Sequence, residues 1–211
     1  MTSPSSTVPD SAAAPAAVRA GQRVFPWRIL VGVAALVVGA CVIRPRNLFG
    51  EFQTIGVAAS LAFVALGLSL RAWAAACAGG HTRSAQIEAP QLVTGGPYAF
   101  VRNPIYLGSF VLGLGMVGIL GDPWLLLPHA LVFSVFFGMI IPAEEQFLAE
   151  QFGEEYARFR RAVPRLIPRL RAWPGSKHPR LSWREARGEA FIALALVAIY
   201  GALRALLHLQ N

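Results

Sequence analysis

Between Pro104 and Pro142 the chain reads PIYLGSFVLGLGMVGILGDPWLLLPHALVFSVFFGMIIP, and its only formally charged residue there is Asp122. Two apolar runs, Ile105 to Leu120 and Trp124 to Ile141, flank Gly121-Asp122-Pro123. Each approaches the roughly 20 residues that carry a helix across about 30 Å of hydrocarbon. Glycine and proline so close together force a tight turn, and Pro123 is preset for the first turn of a helix. The stretch therefore predicts a helical hairpin in a membrane.

Working outward, Thr54 to Ala78 is a further span with Arg71 near its end, and Ile29 to Ile43 is another, flanked by Arg28 and Arg44. Ala190 to Leu207 completes the set, its Arg204 near enough to the end to snorkel to the interface. A composition 55% hydrophobic and 14% charged, in long runs without alternation, suits a bilayer. The expected fold is all-α, a polytopic transmembrane helix bundle of about five spans. Residues 1–26, rich in Ser, Pro and Ala, read as a disordered tail, and no secretory signal is expected. Residues 27–53 hold the first span and an outer loop, 54–170 the core, 171–189 a basic linker and 190–211 an additional helix. Cys41 and Cys77, 36 residues apart, offer neither a disulfide framework nor metal-ligand spacing, so no metal site is expected.

The net charge is +8, and ten of the 19 basic residues lie between Arg158 and Arg187, whereas the turn at 121–123 has none. The positive-inside bias puts 143–189 and, by counting spans, 79–104 in the cytoplasm, as for a multi-pass protein of a bacterial inner membrane. No aromatic interleaving or nucleic-acid signature accompanies the charge, so anionic lipid headgroups, not nucleic acid, are the expected partner.

Two polar segments thus share one face. The first reads GHTRSAQIEAPQLVTGGPYAFVRNPIYLG over 80–108. Gly95, Gly96 and Pro97 demand a turn, and Pro104 ends it by starting the next span. A helix N-terminus there attracts carboxylate, with Arg102 beside it. Taken singly, Arg102 is an interfacial anchor, and Tyr98 and Tyr106 belong to an aromatic belt. The second segment reads PAEEQFLAEQFGEEYARF over 142–159, an amphipathic helix by its three- and four-residue apolar steps. Glu144 and Glu145 stand where the chain leaves the bilayer, which is costly unless a cation or donors answer them. His81 near the first segment is a candidate base, more simply a structural histidine. No dinucleotide fingerprint, phosphate loop or nucleophile elbow occurs, and no catalytic residue is singled out.

Leu92-Val-Thr-x-Gly-Pro-Tyr98, Arg102-x-Pro104-x-Tyr106-x-Gly108, Glu144-Glu145-x-x-Leu148-x-x-x-Phe152-Gly153-x-x-Tyr156 and Val163-Pro-Arg-x-Ile-Pro168 follow in this order. Together they resemble the isoprenylcysteine carboxyl methyltransferase family over about residues 54–170. The resemblance implies S-adenosylmethionine bound in a pocket at the cytoplasmic face and a lipophilic acceptor entering from the bilayer. By position it implies cofactor contacts from Leu92, Val93, Tyr98, Arg102, Asn103, Pro104, Ile105 and Tyr106. Glu144 falls near the cofactor's positive end, and Ile140, Glu145 and Tyr156 on the substrate side.

Two departures stand out. Asn103 replaces the family's usual histidine, and Ile140 stands where the prenylcysteine enzymes place an arginine, which an apolar side chain cannot replace. The expected acceptor is a carboxyl or a phenol- or pyrone-type lipid rather than a prenylcysteine. A membrane sterol-type reductase using NADPH shares the Arg-x-Pro-x-Tyr string. A 2′-phosphate, however, would want basic residues where Glu144 and Glu145 stand. Phospholipid N-methylation is the alternative within the same chemistry, and a non-enzymatic subunit on this scaffold is the third class.

Overall fold

The computed structural model describes residues 49–79, 91–178 and 181–189, with Ala89 and Phe191. The expected tail, the first span, His81 and nearly all of the last span lie outside the described residues. Among the described residues four main α-helices carry the fold: α1 Gln53–Ala78, α2 Pro104–Leu120, α3 Leu126–Val135 and α4 Ile141–Ala162. No strand occurs among the described residues. Gly50–Ala78 and Pro123–Ala162 are long and apolar enough to cross a membrane, and the shorter apolar Pro104–Leu120 lies between them.

The pairing of α1 with α2 follows from small residues. A Cβ on Gly67 would stand 2.5 Å from the Leu112 nitrogen and 2.6 Å from the Gly108 oxygen, and one on Gly115 would stand 2.7 Å from the Ser60 oxygen and the Val64 nitrogen. Where lipid competes equally for apolar side chains, such backbone proximity is what holds two helices together. Ser60 sits in this seam and donates its hydroxyl to Gly56 O at 2.7 Å, so no donor is stranded.

Gly121 ends α2 in the left-handed region at φ 74°. Asp122 accepts from the Trp124 amide at 3.0 Å, and Pro123 opens the return, as the sequence predicts. Beyond this turn the sequence reading ended the span at Ile141 and began a separate helix. The structure instead runs one helical rod from Pro123 to Ala162, through a π turn at Phe136–Ile140. Pro142 supplies the reason. It has no N–H for the carbonyl four residues back, and its ring crowds that carbonyl. Widening the preceding turn lets Ile141 N reach Phe136 O, five residues back, and the rod continues. Phe133, Phe136 and Ile140 form a buried cluster here, packed by Tyr106, Phe110, Val132 and Phe137, which fixes α2 against the rod. Lower down, Gly153, at φ 48° and ψ −123°, leaves the helical region and breaks the rod into two pieces across a kink.

Arg71, a charge inside a span, is answered. Its guanidinium pairs with Glu189 at 2.7 Å, the carboxylate side chain being only 5% exposed, and Nη1 donates to Ser109. Ser182 N donates to Ala76 O at 2.8 Å, so the short helical stretch 183–189 docks on the end of α1. A charge at this depth persists only when paired.

Gly67→Val forces backbone apart and is expected to cost about 1–3 kcal/mol. Gly138→Ala, with nothing within 4 Å of the new Cβ, should be neutral or mildly stabilising. Thermal unfolding in detergent, followed by circular dichroism, separates the two, and equal melting would refute the close-packed seam.

Candidate functional site

The two polar segments meet at the end of the bundle away from the 121–123 turn. Residues 163–178 leave α4 and run antiparallel along 94–102 as a strap. Arg102 N donates to Pro164 O at 2.9 Å, Arg169 N to Phe100 O at 3.0 Å, and Trp173 N to Ala99 O at 3.0 Å. Lys177 N closes the far end on the buried Thr94 hydroxyl at 3.0 Å. Inside, the 3-10 turn Gly96–Ala99 packs on the end of α1, where a Cβ on Gly96 would reach the Cys77 sulfur at 2.5 Å. Glycine is needed there twice over, since its φ is +61°.

One carboxylate organises this region. Glu145, 4% exposed, takes Arg102 Nη2 on Oε1 at 3.0 Å and Arg165 Nη2 on Oε2 at 2.6 Å. Asn103 Nδ2 adds a hydrogen bond to Oε1 at 3.3 Å and another to Arg165 O at 3.3 Å. Arg102 Nη1 donates to Arg160 O at 2.8 Å and Val163 O at 2.5 Å. Burial pushes the Glu145 carboxyl up, but the hydrogen bonds and charges of Arg165 and Arg102 outweigh it and hold it below the usual carboxylate range. Arg165 is raised, mainly by its hydrogen bond to Glu145.

Glu144 turns elsewhere. Successive helix positions diverge by about 100°, so its neighbour's partners are out of reach. The Tyr106 hydroxyl donates to Glu144 Oε1 at 2.6 Å. Tyr98 stands close: burial first, then the Glu144 carboxylate, then the Cys77 thiol push its phenol pKa up. Beside this trio is the N-terminus of α2, where Asn103 makes no side-chain capping bond and its Nδ2 donates to Glu145 and the strap. Pro104 is buried there and Ile105 half-buried.

The remaining expected residues frame the trio. Leu92 is buried with Tyr156, Phe159 and Val163, with Tyr98, Phe152 and Trp173 against them; Val93 is half-buried beside it. Tyr156 is 1% exposed, and its hydroxyl has no partner among the described residues. Ile140 is fully buried in the aromatic cluster that Tyr106 joins from the site side. The structure thus gathers Leu92, Tyr98, Asn103, Tyr106 and Glu144 in one place. Arg102 reaches it only as the partner of Glu145. Sequence reasoning did not single out Arg165 or Thr94. The Val163-Pro-Arg string was the signal for the first; nothing local marks the second.

A family profile described as phospholipid methyltransferase matches residues 55–155. The protein-S-isoprenylcysteine O-methyltransferase of Schizosaccharomyces pombe is 38% identical over 125 residues, 57% of this chain and 51% of that protein. The rat enzyme of the same name is 35% identical over 115 residues, 53% of this chain and 40% of that protein. The cobalt-zinc-cadmium resistance protein CzcN of Cupriavidus metallidurans is 30% identical over 160 residues, 72% of this chain and 67% of that protein. The chain belongs to the phospholipid and isoprenylcysteine O-methyltransferase family. It spans about half the length of the curated isoprenylcysteine methyltransferases it matches. No solved structure matches it. The family profile covers α1, α2, α3 and most of α4, the elements that carry Tyr106, Glu144 and Glu145.

Glu145→Leu strands the buried Arg102 guanidinium and is expected to destabilise by about 3–5 kcal/mol. Adding Arg102→Met removes the stranded charge and should recover much of that loss, since Arg165, whose side chain is 44% exposed, can turn to water. Thermal unfolding of the single and double variants decides it: a double variant weaker than Glu145→Leu alone would refute the reading of Glu145 as a buried charge clamp.

Proposed function

We propose that this chain is an integral membrane methyltransferase that moves a methyl group from S-adenosylmethionine to a lipophilic acceptor. The bundle has about five spans, and the site faces the cytoplasm of a bacterial cell. The observation that carries the reading is the Tyr106–Glu144 hydrogen bond standing beside the uncapped N-terminus of α2. An anionic group beside a positive helix end fits a donor that is itself zwitterionic. In this assignment Leu92, Val93 and Tyr98 line the donor site from the loop, Asn103, Pro104, Ile105 and Tyr106 line it at the start of α2, whose amide end suits its carboxylate, and Glu144 faces its cationic end. Arg102 positions the loop through Glu145. The donor supplies an already reactive methyl sulfonium, so the protein's work is alignment and exclusion of water. Tyr106 holds the Glu144 carboxylate in place, and the strap shields the loop from solvent. Ile140 and the aromatic cluster offer the acceptor an apolar wall. Glu145 and Tyr156, expected on the substrate side, serve here through the packing beneath the loop.

The acceptor is an O-nucleophile on a lipid in the primary reading. The family profile, named for phospholipids, supports a second, methylation of a phospholipid amine.

Detergent-purified protein should bind S-adenosylmethionine by calorimetry. Glu144→Gln should weaken binding about tenfold or more, as for loss of a hydrogen-bonded charge, while Ile140→Val leaves it unchanged. Binding of NADPH without any response to S-adenosylmethionine overturns the proposal. Mass spectrometry of lipid extracts after incubation with isotopically labelled donor then tells a methylated oxygen from a methylated amine.

A further inference from the structure

The strap carries a surface that the site does not use. Residues 163–178 contain no Asp or Glu but hold Arg165, Arg169, Arg171 and Lys177. Between the anchor points at Pro164 and Arg169 and just past the second, Ile167 is 81% exposed and Leu170 99% exposed. Two large aliphatic side chains held out on an irregular segment by backbone hydrogen bonds on either side are unfavourable in water. Their height along the bundle is fixed. Pro164 O is bonded to Arg102 N, and Arg165 O to the Asn103 amide, so the strap lies one or two residues from Pro104, where the apolar helix α2 begins. That is the level of the lipid headgroups, where aliphatic tips meet the acyl boundary and guanidiniums meet phosphate.

We propose that the 165–171 stretch is an interfacial anchor. Ile167 and Leu170 insert into the membrane at headgroup depth, and Arg171, exposed between them and the rest of the basic strap, binds the phosphates of anionic lipid. The anchor fastens to the bilayer the same segment that is hydrogen-bonded over the 94–102 loop, so membrane charge bears on how firmly that loop is covered. This inference concerns the lipid partner of the strap and stands whether or not the methyl-transfer reading holds.

The test uses the full chain with Cys41→Ser, Cys77→Ala and Leu170→Cys, spin-labelled at position 170. It is reconstituted singly in nanodiscs of phosphatidylcholine alone or mixed with phosphatidylglycerol. Accessibility of the label to oxygen and to a water-soluble nickel chelate reports its depth. The expected result is an oxygen-accessible, nickel-protected label, with protection greater in the anionic discs. Arg171→Gln in the same background should lower the preference for anionic discs about fivefold, the factor expected for one basic side chain near such a surface. A parallel label at Ile167, introduced as Ile167→Cys, guards against a local distortion at 170. Equal exposure of both labels to nickel in every disc overturns the proposal. So does protection that appears only when two copies share a disc, which would make the stretch a self-association face.

Discussion

A single buried carboxylate decides where the polar end of this bundle lies. Glu145 leaves α4 one residue after Glu144, and it can be buried only because two guanidiniums and an amide converge on it from other segments. Arg102 and Asn103 come from the approach to α2, and Arg165 from the strap. Satisfying the charge therefore ties the end of the rod to the start of α2 and to the chain that follows α4. Arg102 extends the tie by donating to two main-chain carbonyls at the α4 exit. The apolar cluster of Leu92, Tyr156, Phe159 and Val163 joins the same three segments beside it.

The same requirement turns the neighbouring carboxylate another way. With Glu145 turned inward, helical geometry turns Glu144 toward Tyr106 and Tyr98. Two adjacent acids thus divide, one turned into the Arg102–Arg165 cluster and one toward the two tyrosines, without any difference in their chemistry. The π turn above them contributes to this division. An extra residue in the turn before Ile141 shifts the angular phase of everything below it, including both glutamates. Asn103 stands between the two: its Nδ2 completes the Glu145 cluster, and the N-terminus of α2 that it precedes has no side-chain cap beside the Glu144 trio.

Much of this was legible in the sequence where the physics is local. The boundaries of α1 and α2, the hairpin at Gly121-Asp122-Pro123 and the turn at Gly96 follow from run length and from what proline and glycine permit. The two glutamates announced that something must answer them. Which partner answers was not legible. Arg102 beside a helix end reads equally as a ligand for an external carboxylate and as the partner of an internal one, because complementarity of charge does not name the carboxylate. The π turn was missed although Pro142 implied some adjustment, since a proline can end a helix or be absorbed by it. Beyond the Val163-Pro-Arg-x-Ile-Pro168 string the strap carries no signal: its hydrogen bonds go to residues about 60 to 80 positions earlier, and irregular backbone has no period to read.

Arg71 and Glu189 show how the same rule extends through the apolar layer. Arg71 reads only as a charge near the end of its span, and the acid 118 residues later reads as part of a basic linker. Neither reading is stable when the two are brought together, because each is the cheapest available partner for the other where water is scarce. Their pairing, with Ser109 of α2 as a third member, fastens the 183–189 stretch across α1 near the turn that carries Tyr98. The bundle is thereby closed by charge at two levels, Glu145 at its polar end and Glu189 alongside α1, while close-packed glycines hold the helices between. Specific pairing of this kind is what an all-helical protein in lipid must rely on, since burial of apolar surface cannot distinguish a neighbouring helix from the lipid itself.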